Sequence, residues 1–253
     1  MIYDCFMFYN ELMLLEIRLN ELDAFVDKFV LVESTHSHSG EEKPLYYDQV
    51  KDNEIFGKFR DKIIHIVHPM ESRPNRWHNE NAQRNAIEKG IYGAAPDDVI
   101  IVSDVDEIIN TEVFPKINFC PLPSRLNMKN YYYYFNCRSV RDWNSPSFCR
   151  FKDYSSAQFL RRGNLRKFTI KDAGWHFGYL MSPEQIAMKL EAFAHSEFDT
   201  DYYKDIDRIQ KCMNSNSDLF EKIDSSYFIE PLDAPKYVMN NIDKYQEFII
   251  TDF

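Results

Sequence analysis

Four apolar residues in a row, Val99 to Val102, sit inside the stretch "DDVIIVSDVDEI" at 97–108. A strand with one face in water alternates apolar and polar side chains, because successive residues point to opposite faces. A run that is apolar at consecutive positions belongs in the middle of a sheet covered on both sides. The rest of the chain must then supply flanking strands and two covering layers. Asp104, Asp106 and Glu107 follow at once, and carboxylates are not buried without partners. The strand therefore ends where charge is compensated.

The segments around it supply the layers. "IYDCFMFY" is a compact apolar strand, and Asn10 stands at the N-cap of a helix "ELMLLEIRLNEL" with Glu11 in its first turn. Leu12, Leu15, Leu19 and Leu22 recur there at helical spacing. "KFVLVEST" is a buried strand ending near Glu33, and "KIIHIVHP" is another, closed by Pro69. "NRWHNENAQRNAIEKGIYG" reads as a helix with Gly90 and Gly93 near its end. The β-α-β-β-α-β succession predicts an α/β fold with a mostly parallel central sheet. Ligands of such sheets gather at the carboxyl ends of the strands, where Glu33, Asp104 and Asp106 fall.

Beyond residue 110, "RLNMKNYYYYFNCR", "SFCRFKDY", "AQFLRRG" and "GWHFGYL" read as short, partly exposed strands. Helices follow in "SPEQIAMKLEAFAHSEF", "DYYKDIDRIQKCM" and "YVMNNIDKYQEFI", predicting a peripheral helical C-terminus. No linker or repeat divides the chain, so 1–253 is expected to be a single domain.

Composition narrows the function classes. A formal net charge of -10 and no basic stripe argue against a nucleic-acid partner. Seven glycines form no phosphate loop of the G-x-x-x-x-G-K or G-x-G-x-x-G kind. Five scattered cysteines without a C-x-x-C pair point to a reduced, cytoplasmic protein. Asp4 and Glu11 interrupt the apolar N-terminus, which lacks the basic start of a signal peptide. No apolar run approaches the roughly 20 residues of a transmembrane segment.

On an extended backbone Asp104 and Asp106 share one side while Val105 returns to the core. Two carboxylates so close repel unless a cation lies between them, and hard oxygen ligands suit Mn²⁺ or Mg²⁺, which keep positions open for substrate phosphates. A solvated acidic loop capping the next helix is the competing account. His176, in "GWHFGY" between Gly174 and Gly178, is a possible third ligand or a structural histidine. "ESTHSHSG" reads as a hydroxyl-rich loop that touches a ligand rather than as a second metal site. Arg84 is either the surface partner of Glu80 one helical turn away or a guanidinium facing phosphate. Tyr131 to Tyr134, Trp77 and Trp143 are core aromatics or sugar-stacking ones.

These blocks in order, "YDCFMFYNELMLLEIRLNELDAFVDKFVLVESTHSHSG", "ENAQRNAI", "DDVIIVSDVDEI", and "GWHFGYL" followed by "KLEAFAHSEFD", resemble glycosyltransferase family 17. They run from residue 3 to about 199. The resemblance implies a GT-A-like nucleotide-sugar-binding fold, a metal-dependent reaction and inversion at the anomeric carbon. It assigns 1–110 to a nucleotide-binding half, 111–199 to an acceptor-side half and 200–253 to a helical tail. It places Asp104 near the ribose and the metal, makes Asp106 a direct ligand, and completes the set with His176. Glu33, Arg84 and Asp104 become donor contacts. Gly178 departs from the pattern, since relatives often carry serine there. The expected donor is a UDP-sugar, with UDP-N-acetylglucosamine leading and UDP-xylose, UDP-glucose or UDP-galactose as alternatives. The expected acceptor is a hydroxyl of an oligosaccharide or glycoprotein glycan.

The reaction so implied is a direct displacement, in which a carboxylate takes the acceptor proton as the nucleoside diphosphate leaves. Glu107 and Asp142 are the first candidates for that base, ahead of Asp172 and Glu197. Two rivals belong to other classes. A metal-dependent phosphatase also uses D-x-D after a strand, but early in the chain and with Thr or Val where Ile108 stands. A catalytically silent sugar-binding module would have no need of the intact carboxylates.

Overall fold

In the computed structural model, which describes residues 1–70, 75–117, 119–162, 168–222 and 225–251, the apolar run is the middle strand of seven. The strands in chain order are β1 (Ile2–Phe8), β2 (Lys28–Ser34), β3 (Ile63–His68), β4 (Val99–Asp104), β5 (Glu107–Ile109) and β6 (Ser124–Leu126). They continue with β7 (Lys129–Tyr132), β8 (Cys137–Ser139), β9 (Ser147–Arg150), β10 (Phe168–Ile170), β11 (Gly174–Gly178) and β12 (Tyr227–Ile229). Among the described residues they form one sheet of order β10-β6-β9-β4-β1-β2-β3 and a second of order β12-β8-β7-β11-β5.

Both faces of the larger sheet are covered, as the pattern of β4 requires. Val99 and Ile101 pack with Phe6, Phe8 and the Leu12–Leu22 helix, whereas Ile100 and Val102 pack with Cys5, Val30, Ala86 and Ile87. Burying one such aliphatic side chain completely contributes about 1.5–3 kcal/mol. The Leu12–Leu22 helix is apolar on more than one side because it is wedged between layers. Leu15, Leu19 and Leu22 face the first core, and Leu14 and Ile17 face the core of the second sheet.

The expectation of a mostly parallel sheet is corrected: both sheets are mixed. β1, β2, β3 and β4 are parallel neighbours, but β9 is antiparallel to both β4 and β6, and β5 is antiparallel to β11. Parallel pairing needs a crossover of a dozen or more residues. The segments between β1, β2, β3 and β4 provide such crossovers, and the antiparallel pairs enter only with strands beyond residue 104. "AQFLRRG" is also corrected, since Ala157–Arg162 is helical and Gly163 lies outside the described residues. Its buried residues are Ala157, Leu160 and Arg161, spaced i, i+3 and i+4. A short apolar run does not distinguish helix from strand.

The first helix begins one residue later than expected, with Glu11 rather than Asn10 at the N-cap. The C-terminal segment is neither wholly helical nor peripheral. β12 pairs with β8, and Val238 and Tyr245 are fully buried against Leu14, Ile17, Phe135 and Phe177. Among the described residues no helix is long and apolar enough to cross a membrane.

The strand order creates the place for a ligand. From β1 the chain passes to β2 and β3 on one side, then returns to form β4 on the other. The boundary between β1 and β4 is therefore the topological switch point, where open α/β sheets leave a crevice.

Candidate active site

A cavity of about 580 Å³ opens at that boundary. β1 delivers Phe8, Tyr9 and Glu11 to its wall, and β4 delivers Asp104 and Asp106. The backbone does not stay extended after Asp104: a turn at Val105 and Asp106 sends the chain into β5 of the second sheet. Val105 is buried in the core below, and both aspartates still line the cavity. β5 pairs with β11 so that Glu107 stands opposite His176, which carries the histidine to the same wall. A second cleft of about 830 Å³ shares Asp218, Lys222 and Ser225 with this cavity, but Asp104 and Asp106 do not line it.

The turn is held from beneath by Arg18, fully buried on the first helix. Its Nε donates to Asp4 at 2.7 Å, and Nη2 donates to Asp4 and to the Ser103 hydroxyl. Its Nη1 donates to the carbonyls of Asp104 at 2.9 Å and Glu107 at 2.8 Å. A second guanidinium, Arg161, spans the Asp104 carboxylate and both oxygens of Glu107. Arg84 adds a contact to Asp104 at 3.3 Å while also donating to Glu80 at 2.8 Å. Burial opposes the charge on Asp104, but Arg161 and Arg84 outweigh it and hold the carboxyl well below its usual range.

Asp106 has a different setting. Its Oδ1 lies 3.9 Å from His176 Nε2, and its Oδ2 lies 3.4 Å from the Lys189 ammonium. His176 Nδ1 is 2.8 Å from the Asn130 side-chain oxygen, an acceptor, so Nδ1 carries the hydrogen and the Nε2 lone pair faces Asp106. Trp143 stacks on the imidazole with ring centroids 4.2 Å apart and an interplanar angle of 12°. Its Nε1 donates to Glu107. Burial lowers the His176 pKa from 6.5 despite the nearby carboxylates, which favours the neutral form that ligates metals.

A carboxylate oxygen and an imidazole nitrogen 3.9 Å apart are close enough for one divalent cation to touch both. Asp104 is less available, because two guanidinium groups hold it. Among the described residues no group of three or more His, Cys, Asp or Glu side chains stands at ligand spacing.

Residues 1–249 match the family model described as Glycosyltransferase family 17. The chain belongs to that family. It is 23% identical to the β-1,4-mannosyl-glycoprotein 4-β-N-acetylglucosaminyltransferase of Rattus norvegicus over 283 aligned positions, covering 94% of this chain and 52% of that protein. It is likewise 23% identical to the Homo sapiens protein of the same name, covering 93% of this chain and 52% of that protein. The chain therefore spans about half the length of these family 17 relatives.

The residues singled out from the family 17 blocks divide into those facing the cavity and those supporting it. Asp104, Asp106, His176, Arg84 and Asp142 line it. Glu107 does not: its side chain is fully buried and bound by Arg161 and Trp143, and its Oε2 accepts from the Asp104 backbone N–H at 2.7 Å. Glu33 does not either. It is buried at the end of β2, where it accepts from the backbone N–H groups of Tyr46 and Tyr47 and meets Lys43 at 3.3 Å and His65 at 3.2 Å. Asp172 is an exposed turn residue with φ 52°, and Glu197 is half exposed and bound to His195. Asp142 is partly exposed and pairs with Arg138 at 2.6 Å.

His38 of the "THSHSG" loop is half-buried against Gln83, 2.9 Å from its side-chain oxygen, at the cavity edge. Tyr131 and Tyr133 are core, whereas Tyr132, Trp77 and Trp143 reach the cavity. Gly174 has a reason other than space beside His176. Its φ is +148°, and a Cβ there would stand 2.1 Å from the Ile108 carbonyl oxygen. Gly178 is the glycine next to the imidazole, with a Cβ position 3.4 Å from His176 Cε1.

Sequence reasoning missed Arg18, Arg161, Asn130 and Lys189, and read Glu11 only as a helix-start residue. The Glu11 carboxylate accepts from the backbone N–H groups of Tyr9 and Asn10, both at 3.1 Å, and meets Lys189 at 3.5 Å. An arginine among leucines in "LLEIRLNEL" was the one visible signal, since a charge on an apolar helix face must find a buried partner.

Proposed function

We propose that this chain is a metal-dependent, inverting glycosyltransferase that moves N-acetylglucosamine from a UDP-sugar to a hydroxyl of a glycan. The observation that carries this reading is the convergence of Asp106 and the His176 Nε2 lone pair, 3.9 Å apart, at the switch-point cavity of a family 17 chain. The order β3-β2-β1-β4, with antiparallel β9 beyond it, supports a GT-A-like assignment.

Charge balance supports a cation. Arg18, Arg84, Arg161, Arg162 and Lys189 face the six carboxylates Asp4, Glu11, Glu80, Asp104, Asp106 and Glu107. The cavity wall adds Arg141 and Lys222 against Asp142 and Asp218, so its own charges are matched and an entering diphosphate needs further positive charge. Asp106 and His176 would hold Mn²⁺ or Mg²⁺, whose remaining positions suit water and phosphate oxygens. Such a cation supplies charge against the diphosphate as it leaves, stabilising the transition state more than the ground state.

The protein's own residues do the positioning. Asn130 sets the His176 tautomer and Trp143 fixes its ring plane. Arg161 and Glu107 anchor Asp104, so Glu107 acts as a strut and not as the base. Asp142 faces the cavity with part of its carboxylate exposed, and is proposed to accept the acceptor proton. Arg84 places a guanidinium beside Asp104 on the donor side.

The test is transfer from UDP-N-acetylglucosamine to a glycan acceptor, with Mn²⁺ and with a chelator, for the parent chain and Asp106→Asn. Chelation and the substitution are each expected to reduce turnover by on the order of a hundredfold or more. Full activity in either condition overturns the metal role. Donor identity is read separately from thermal shift in Mn²⁺, where a donor at a hundred times its Kd adds about 2.7 kcal/mol.

A further inference from the structure

We propose that Lys189 is the resident counter-ion of Asp106 in the cation-free site, and that it turns to the donor's diphosphate once a divalent cation takes Asp106. This rests on the transferase reading above. The Lys189 ammonium stands 3.4 Å from Asp106 Oδ2 and 3.5 Å from Glu11 Oε1, with the Tyr179 ring centroid at 5.6 Å. It occupies the side of Asp106 opposite His176, so the two oxygens of one carboxylate face an imidazole lone pair and a mobile cation.

The arginines that hold Asp4, Asp104 and Glu107 are fixed. The side chains of Arg18, Arg84 and Arg161 are at most 2% exposed, and each spans several carboxylate or carbonyl oxygens. Lys189 is 22% exposed, lines the cavity, and holds each partner through a single long contact. An ammonium on a four-carbon stem is a compact point charge that re-aims readily, unlike a guanidinium held by several hydrogen bonds.

The base of the stem is anchored. Lys189 lies on the Pro183–Ala192 helix, whose Ser182 and Gln185 form a reciprocal capping box and whose Ile186 and Leu190 are fully buried. Only the stem needs to move. One ammonium between two carboxylates leaves them under-neutralised, so a dication gains Asp106 and releases Lys189 into the cavity. There the lysine meets the negative charge that accumulates on a departing diphosphate.

The experiment measures Mn²⁺ binding without donor, from the free-ion paramagnetic resonance signal, and then UDP binding at saturating Mn²⁺. The proteins compared are the parent chain, Lys189→Met, Lys189→Gln and Asp106→Asn, each checked for a cooperative thermal melt. Lys189→Met, which keeps the stem, is expected to bind Mn²⁺ on the order of tenfold tighter, because no ion pair has to be broken. Its UDP affinity is expected to fall on the order of tenfold, because a phosphate contact is lost. Lys189→Gln should follow the same pattern. Mn²⁺ affinity unchanged or weaker in both lysine variants overturns the proposal, as does unchanged UDP affinity. If Asp106→Asn abolishes Mn²⁺ binding while the lysine variants match the parent, the metal site stands and the Lys189 role falls. No Mn²⁺ binding by the parent or by either lysine variant overturns both.

Discussion

Arg18→Met is the perturbation that most directly tests whether the acidic turn is held from below. Arg18 and Asp4 are both fully buried, so the substitution leaves a buried carboxylate without its guanidinium. Removing one partner of such a pair costs about 3–5 kcal/mol. The carbonyls of Asp104 and Glu107 also lose donors at 2.9 and 2.8 Å, each worth about 1 kcal/mol. The expected loss is therefore about 5–7 kcal/mol, which lowers Tm by about 10–30 °C in a chain of this size. Urea unfolding followed by circular dichroism measures it. Arg18→Met combined with Asp4→Leu removes both charges, and stability should largely return, because apolar replacement of a whole buried pair is often neutral. Transfer activity should not return with it, since the turn carrying Asp104 and Asp106 still lacks its anchor. A single variant that loses less than about 1 kcal/mol, or a double variant no more stable than the single, refutes this account of the turn.

Two further outcomes follow from the same geometry. Burial lowers the His38 pKa from 6.5, so below that pH the unfolded chain binds a proton that the folded chain refuses. Stability is then fully present above about pH 6.5 and is lost as pH falls below it, and His38→Gln should flatten that slope in melts taken between pH 5 and 7. Gly174→Ala places a Cβ 2.1 Å from the Ile108 carbonyl at a φ of +148°, and should cost about 3 kcal/mol or more. Gly178→Ala meets only ring atoms at 3.3–3.4 Å and should cost about 1 kcal/mol in the same urea titration.

Much of the frame is legible in the chain because its signals are local. The four apolar residues of 99–102 require cover on two faces, and β4 is indeed the middle strand, with Val99 and Ile101 in one core and Ile100 and Val102 in the other. Leucine spacing marks the first helix to within a residue. The conjunction of "SDVDEI" with "GWHFGY" led to Asp104, Asp106 and His176, which share one cavity. Asp104 ends β4 and His176 stands mid-strand in β11, where the alternation of strand faces already says which way a side chain points, whereas Asp106 lies in the turn beyond β4.

What the sequence alone did not decide are the charge partners and the turn. Arg18 reaches the Asp104 carbonyl across 86 positions, and Lys189 reaches Asp106 across 83. Neither distance leaves a periodic trace, because an ion pair between remote segments is set by how layers stack, not by the spacing of residues along either one. Glu107 was a candidate base only through its nearness to Asp106 along the chain. The turn at Val105 and Asp106 passes the chain to a second sheet, and Glu107 then lies opposite His176 in a strand ladder, enclosed by Arg161 and Trp143. Local pattern determined which strand is central and where its carboxylates emerge. The packing of two sheets against one helix decided which carboxylates face the cavity and which are enclosed beneath it.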